Sequence, residues 1–174
     1  MAVDENTECA DEDSAPPYGR LSVPVYSIAT AAGANSTSSM NLTTYATPVA
    51  IKPGRRFVVA LYKGTVTHDN MVEQGRGVLQ MLGEQHAPLT DLLGKTSSRE
   101  MDKCAELKRR GFKVLKRFGV DTLEDCLGVA ELQISSLQDA GDHDLALCDV
   151  TAHLTLDDEG APLYTGYLRE NDFL

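Results

Sequence analysis

The chain has 174 residues, 42% of them hydrophobic, which predicts one domain with a core of its own and excludes a wholly disordered protein. Its 16 basic and 26 acidic residues leave a net charge of −10. That balance argues against a broad nucleic-acid surface, because phosphate binding needs a dominant basic face. The longest apolar run, residues 57–62, is far shorter than the roughly 20 residues that span a bilayer, so we expect no membrane contact and a soluble protein.

Charge is distributed in blocks along the chain. The first 13 residues hold six acids and no base, which predicts a disordered acidic arm over residues 1–20, followed by one domain over 21–174. Residues 95–117 hold nine bases and three acids, or +6, whereas residues 118–174 hold thirteen acids and one base, or −12. The basic segment is large enough to hold one small anionic ligand.

The cysteines at positions 9, 104, 126 and 148 are too far apart for a metal knuckle or a redox pair, so we expect reduced thiols. His68, His86 and His153 have no ligand spacing between them either, and we expect no metal site. The N-terminus has no secretory pattern. We therefore expect a cytoplasmic protein, or a plastid or mitochondrial one that has lost a transit peptide.

Hydrophobic patterning predicts strands in the first half of the chain. Residues 23–29 have the composition of a strand, and residues 40–47 alternate between apolar and polar side chains as a half-buried strand does. Residues 57–62 are predicted to form a buried strand after a proline-glycine turn. Thr67 is the predicted N-cap of a short helix, which glycines 75 and 77 should end. Residues 78–82 are a further short strand candidate.

The second half is predicted to contain one helix and several strands. Ser97 and Glu100 resemble a capping box that opens a helix to about Arg110, with its apolar residues inward and its basic residues outward. Strands are predicted at residues 130–134 and 145–156, and a closing strand at 162–168 after a loop at 157–160. Many strands with few short helices predict a mainly β, antiparallel barrel.

Residues 63–67 combine the features of an anion cradle. Lys63 supplies a charge, Gly64 allows close backbone approach, and Thr65 and Thr67 supply hydroxyl groups at the start of a helix whose first amides are free. The polar strand before them, which includes Ser38, Ser39 and Asn41, would add donors. An ordinary capped helix beside a polar strand edge explains the same residues without a ligand.

A second motif, Gly141-Asp142-His143, stands at the entry to a strand. A glycine–acid–imidazole corner can present a titratable ring to a substrate. A turn with a solvated histidine is the simpler explanation. The sequence has no nucleophile motif and no glycine-rich dinucleotide fingerprint, so a protein nucleophile is not expected.

These motifs, in this order, resemble the flavin reductase-like FMN-binding split barrels. The resemblance rests on residues 41–53, 58–71, 141–150 and 162–167, and it extends over roughly residues 21–170. It implies an antiparallel split β-barrel, an FMN cofactor (with FAD as the other flavin), NAD(P)H as co-substrate, and a homodimer. It also implies that His143 lies near the nicotinamide path as the catalytic residue, and that the flavin is bound by Asn41, Thr43, Thr44, Tyr45, Ala46, Lys63, Gly64, Thr65, Thr67 and Asn70.

Three functions are compatible with this resemblance. The first is an NAD(P)H-dependent flavin reductase, which needs no protein nucleophile because the flavin performs the hydride chemistry. The second is a non-catalytic, flavoredoxin-like electron-transfer module whose acidic segments dock a redox partner. The third is a barrel that has lost flavin and holds haem or another anionic ligand.

Overall fold

A curled antiparallel sheet dominates the fold, which a computed structural model describes for residues 16–174. Its seven strands follow the order β2-β1-β5-β8-β9-β4-β3, and every pairing is antiparallel. The strands are β1 (Tyr26–Thr30), β2 (Ser39–Thr43), β3 (Ala46–Ala50), β4 (Arg56–Tyr62), β5 (Arg76–Met81), β8 (Gly128–Asp139) and β9 (His143–Thr155). A separate hairpin contains β6 (Val114–Arg117) and β7 (Val120–Leu123).

The sheet closes on itself because its two outermost strands are consecutive in the chain. Only Thr44 and Tyr45 separate β2 at one edge from β3 at the other, so the two edges must lie close together. The single strand predicted over residues 40–47 is therefore two strands. The break is a tight turn, in which the Tyr45 amide donates to the Thr43 hydroxyl at 3.2 Å. The predicted mainly β, antiparallel split barrel is confirmed.

The first helix, α1 (Val66–Gln74), follows β4 directly. Its N-cap is Thr65, whose hydroxyl accepts from the His68 amide at 3.1 Å, so the prediction that Thr67 caps it is wrong. Thr67 is turned inward instead, 2.8 Å from the Ser39 hydroxyl. The helix ends as predicted at Gly75, whose φ of 69° is the left-handed conformation that glycine adopts readily.

The second helix, α2 (Lys103–Arg109), is shorter than predicted. Asp102 is its N-cap and accepts from the Ala105 amide at 3.0 Å, so the proposed Ser97 capping box is wrong. Ser97 caps only a local turn at Arg99, and the neighbouring Ser98 is bound to Ser39 of β2 at 2.9 Å. The outward direction predicted for all basic residues is also wrong for Lys103, which is buried.

The C-terminal segment does not form the predicted closing strand. Two isolated bridges, Pro24 to Tyr164 and Gly83 to Pro162, lead into α3 (Thr165–Glu170). The helix starts at Thr165, whose hydroxyl accepts from the Val23 amide at 3.1 Å and whose amide donates to the Val23 carbonyl at 3.0 Å. This segment therefore rests against the N-terminal part of the domain.

Two apolar clusters fill the molecule. One, which includes Ile28, Val59 and Leu132, lies on β1, β4 and β8, and the other, which includes Leu93, Leu107 and Leu123, lies under α2 and the β6–β7 hairpin.

Residues 1–15 of the predicted acidic arm lie outside the described residues, whereas Pro17–Arg20 form a 3-10 turn. Among the residues that the structure describes, no helix has the length and apolarity to cross a membrane.

Candidate functional site

A cavity of about 710 Å³ opens where the ends of β2 and β4 meet the start of α1. Its volume lies in the range of pockets that hold small molecules and cofactors. The polar strand β2 forms one wall and the N-terminus of α1 another, and a turn at residues 91–95 borders it. The 3-10 turn at residues 17–20 and α3 complete the rim, so the two ends of the domain meet at this site.

Seven of the eleven residues predicted for the site line this cavity. They are Asn41, Thr43, Thr44, Tyr45, Thr65, Thr67 and His143. Ala46, Lys63, Gly64 and Asn70 are not part of its lining, and a direct contact between these four residues and a flavin stays a prediction.

One end of the cavity is aromatic. The His143 ring lies between Tyr45, at 5.5 Å between ring centroids, and Tyr62, at 5.1 Å. The pairing of β4 with β9 sets this arrangement, because Tyr62 and His143 are cross-strand partners. Asp142 lies 2.8 Å from His143 Nδ1, and this hydrogen bond holds the pKa of the Asp142 carboxyl below its usual value. His143 is thus oriented by the carboxylate beside it.

The N-terminus of α1 forms the polar centre of the cavity. The Thr65 hydroxyl donates to the Tyr62 carbonyl at 2.9 Å, which joins the helix start to the end of β4. The Thr67 hydroxyl is shared with Ser39 and still borders the cavity. The Val66 and Thr67 amides belong to the first turn, whose N–H groups have no partner within a helix. Such an end attracts an anion.

Lys63 joins the end of β4 to the Gly141-Asp142-His143 corner. Its Nζ donates to Asp139 at 2.9 Å and to the Gly141 carbonyl at 2.8 Å, and it lies 3.4 Å from Asp144. The Asp139 hydrogen bond raises the pKa of Lys63. The lysine therefore fixes the corner that holds His143, and its charge is shared between two carboxylates.

His68, which the sequence analysis considered only as a metal ligand, lines the cavity between two carboxylates. Its Nε2 lies 2.8 Å from Asp144, and its Nδ1 lies 3.2 Å from Asp69. Asp69 is paired in turn with Arg99 at 2.6 Å, and Arg99 also donates to the Gly64 carbonyl. This chain of charges fixes the loop between β4 and α1.

Asn70 is a fully buried link between α1 and the β1–β2 connection. Its Nδ2 donates to the Thr30 hydroxyl and to the Thr37 carbonyl, both at 2.9 Å, and its Oδ1 accepts from Ser36. All of its polar atoms are thus used within the protein.

Two cations at the cavity have no carboxylate partner among residues 16–174. Lys95 makes no ion pair within that range, and Arg169 donates only to the Arg20 and Leu21 carbonyls, at 3.2 and 3.3 Å. The sequence analysis considered the basic segment that begins at Lys95 as a site for an anionic ligand but did not single out Lys95, and it missed Arg169 because no motif surrounds it. Positive charge without a carboxylate partner in this described part of the chain favours an anionic ligand at the cavity.

The family model for the flavin reductase like domain matches residues 18–170. The chain belongs to this family. The suspected resemblance is thus confirmed over nearly the whole described domain. Membership in the flavin reductase-like family supports a flavin-related oxidoreductase function.

Solved structures share the fold at low sequence identity. An FMN-binding protein from Thermus thermophilus with bound 1-cyclohex-2-enone is 21% identical, with a TM-score of 0.70, and the match covers 88% of this chain and 84% of that one. The styrene monooxygenase flavin reductase from Pseudomonas putida is 18% identical, with a TM-score of 0.67 and coverages of 83% and 86%. The NADH:FAD oxidoreductase of Streptomyces globisporus is 13% identical, with a TM-score of 0.71 and coverages of 84% and 83%. No protein with a curated description matches the sequence.

Proposed function

We propose that this protein binds FMN in the cavity and acts as an NAD(P)H-dependent flavin reductase. The observation that carries the proposal is one cavity that joins a helix N-terminus, a polar strand and two cations, Lys95 and Arg169, that have no carboxylate partner among residues 16–174. An aromatic histidine corner borders the same cavity. Family membership and the solved structures described as flavin reductases or as an FMN-binding protein support it.

The donor set fits a flavin phosphate at the start of α1. The amide and the hydroxyl of Thr67, which lines the cavity, supply one N–H and one O–H donor, and Lys95 supplies a charge from the turn at residues 91–95. Phosphate groups are bound in this way at helix N-termini in general. In this proposal Lys63 acts indirectly, by holding the histidine corner, because its ammonium is already bound to carboxylates.

The strand β2 and the turn after it fit the ring system. Thr43, Thr44 and Tyr45 border the cavity, so their hydroxyl and backbone groups are available to the edge of an isoalloxazine. FMN or, as a second possibility, FAD supplies the hydride-accepting chemistry when bound. His143, held by Asp142 and flanked by two tyrosines, orients the nicotinamide beside the ring or carries a proton at its Nε2.

Anaerobic stopped-flow mixing with NADH and with NADPH tests the reductase activity. The FMN-loaded protein should lose its flavin absorbance band with at least one of the two nicotinamides, at a rate that saturates with their concentration. A band that persists with both nicotinamides, in protein that binds FMN, would contradict the reductase and leave the binding site intact.

One observation favours a second candidate, an electron-transfer module that docks a redox partner. The carboxylates of Asp139 and Asp142 stand beside the histidine corner with 79% and 74% of their side chains exposed. Acidic groups at a rim attract a basic protein surface and repel the phosphates of a dinucleotide. In the same stopped-flow experiment, flavin that is not bleached by nicotinamide but is reduced by chemical reductant would support this candidate.

We also propose a homodimer, supported by the outermost strand β3. Val49 and Ile51, at and just after its end, are 50% and 76% exposed, and Tyr45 at the cavity is 63% exposed. Apolar side chains along an unpaired edge favour a covered surface. Light scattering should give twice the chain mass of 18.8 kDa, and a monomer mass at micromolar concentration would contradict the dimer.

A further inference from the structure

Lys103 is a cation buried behind the cavity wall. It is the first residue of α2, only 3% exposed, although its helix otherwise carries its basic side chains on the surface. Its Nζ lies 3.0 Å from the Met40 carbonyl, 3.2 Å from the Leu93 carbonyl and 2.9 Å from Asn41 Oδ1. These three acceptors use all three hydrogens of an ammonium group. Within the described chain, these three contacts are its hydrogen bonds, and none of them is to a carboxylate.

Burying this charge is costly, so the three contacts must hold it firmly. Desolvation lowers the pKa of Lys103 to about 8, which still leaves the group mostly protonated at neutral pH. Hydrogen bonds to a charged group are roughly twice as strong as those between neutral groups. Lys103 therefore connects α2 with two elements that border the site, namely β2 and the turn at residues 91–95.

The contact with Asn41 decides which end of its amide faces the cavity. An ammonium group can only donate, so Asn41 must turn its oxygen toward Lys103. Its NH₂ group has no hydrogen-bond partner among residues 16–174, and Asn41 lines the cavity. The free donors therefore point to a ligand atom that accepts, such as a carbonyl, hydroxyl or phosphate oxygen.

We propose that Lys103 is a positioning residue that fixes Asn41 as a hydrogen-bond donor to an acceptor oxygen of the bound flavin. The proposal rests on the proposed function, since it takes the ligand of the cavity to be a flavin. It assigns a role in ligand recognition to the basic segment at residues 95–117. The acceptor-rich flavin ring edge, ribityl chain and phosphate all offer suitable oxygens.

A double-mutant cycle on FMN affinity tests whether Lys103 acts through Asn41. We expect Lys103→Met and Asn41→Leu each to weaken FMN binding about tenfold, and the double variant to lose no more than about threefold beyond either one. Lys108→Met, which removes an exposed charge from the same helix, is the matched control and should bind FMN as the wild type does. Losses that multiply in the double variant would overturn the proposal.

Asn41→Asp keeps the test decisive if Lys103→Met does not fold. The carboxylate retains the contact with Lys103 as an ion pair but offers no N–H group, so thermal stability should not fall while FMN affinity drops about tenfold. Wild-type FMN affinity in this variant would overturn the proposal. Wild-type protein that fails to bind FMN would refute the proposed function itself, which separates the two failures.

Discussion

The resemblance assigned Asn70 to the flavin site, but its contacts in the structure lead us to expect that it stabilises the fold and does not contact the flavin. Its side-chain nitrogen donates two neutral hydrogen bonds, to Thr30 and Thr37, and its oxygen accepts one from Ser36. Each such bond contributes about 1 kcal/mol net, and buried partners left unsatisfied add to the loss. Asn70→Ala should therefore lower the free energy of unfolding by about 2–3 kcal/mol, or about 5–10 °C in Tm for a chain of this size.

Thermal and urea unfolding, followed by circular dichroism, measure this effect. Val72→Ala is the matched control on the same helix, since Val72 is 43% exposed and its truncation should change stability by no more than about 0.5 kcal/mol. At 10 °C, where both variants are folded, Asn70→Ala should bind FMN within about threefold of the wild type. A tenfold loss of FMN affinity with unchanged stability would refute the assignment of Asn70 to the fold.

Three further predictions concern charge and the histidine corner. Lys95→Met should weaken FMN binding about tenfold but leave riboflavin binding unchanged, whereas Lys63→Met should change the ratio of FMN affinity to riboflavin affinity less than threefold. Calorimetry with both ligands measures these affinities. The opposite result for the two variants would show that Lys63, and not Lys95, binds the phosphate. His143→Ala should reduce kcat/KM for the nicotinamide at least tenfold, as measured by steady-state kinetics, while FMN affinity, measured by titration, stays within threefold of the wild type. Equal losses of kcat/KM and of FMN affinity would show that His143 is only a flavin ligand. Burial lowers the pKa of Lys103 to about 8 in the folded protein, whereas the unfolded chain keeps the ordinary pKa of 10.5. The free energy of unfolding should therefore rise with pH between these two values, by about 2 kcal/mol more in the wild type than in Lys103→Met. Parallel pH dependences of the two proteins in urea unfolding would show that the pKa of Lys103 is not lowered.

The strands were the most predictable part of the fold. Alternation and β-branched residues located β4, part of the first half of β8 (residues 130–134) and nearly all of β9 (residues 145–156). The outer half of β8, residues 135–139, is exposed and polar, so only its pairing with β9 defines it. The β6–β7 hairpin was missed because it lies within and just beyond the basic segment.

Helix starts depended on contacts that local sequence does not contain. Ser97 and Asp102 are both good caps, and the choice follows from Ser98 binding Ser39, which is 59 residues away. Thr65 and Thr67 present the same ambiguity, which Ser39 again resolves by taking the Thr67 hydroxyl.

The site residues that could be predicted from the sequence are those whose motif lies at the end of a predicted strand. Residues 41–45, Thr65 and Thr67 line the cavity because β2 and the start of α1 form two of its walls. Lys63 was expected to supply a charge to an anion, but in the structure its ammonium pairs with Asp139 and Asp144, which are more than 75 residues away in sequence. Lys103 was expected on the surface, since a lysine on a short helix is normally solvated.

Titration of the purified, flavin-free protein with FMN in a calorimeter tests the account most directly. We expect saturable binding of one FMN per chain, with riboflavin bound more weakly because it has no phosphate for the helix N-terminus and Lys95. Absence of heat and of any change in flavin absorbance or fluorescence, in protein that is folded by circular dichroism, would contradict the account.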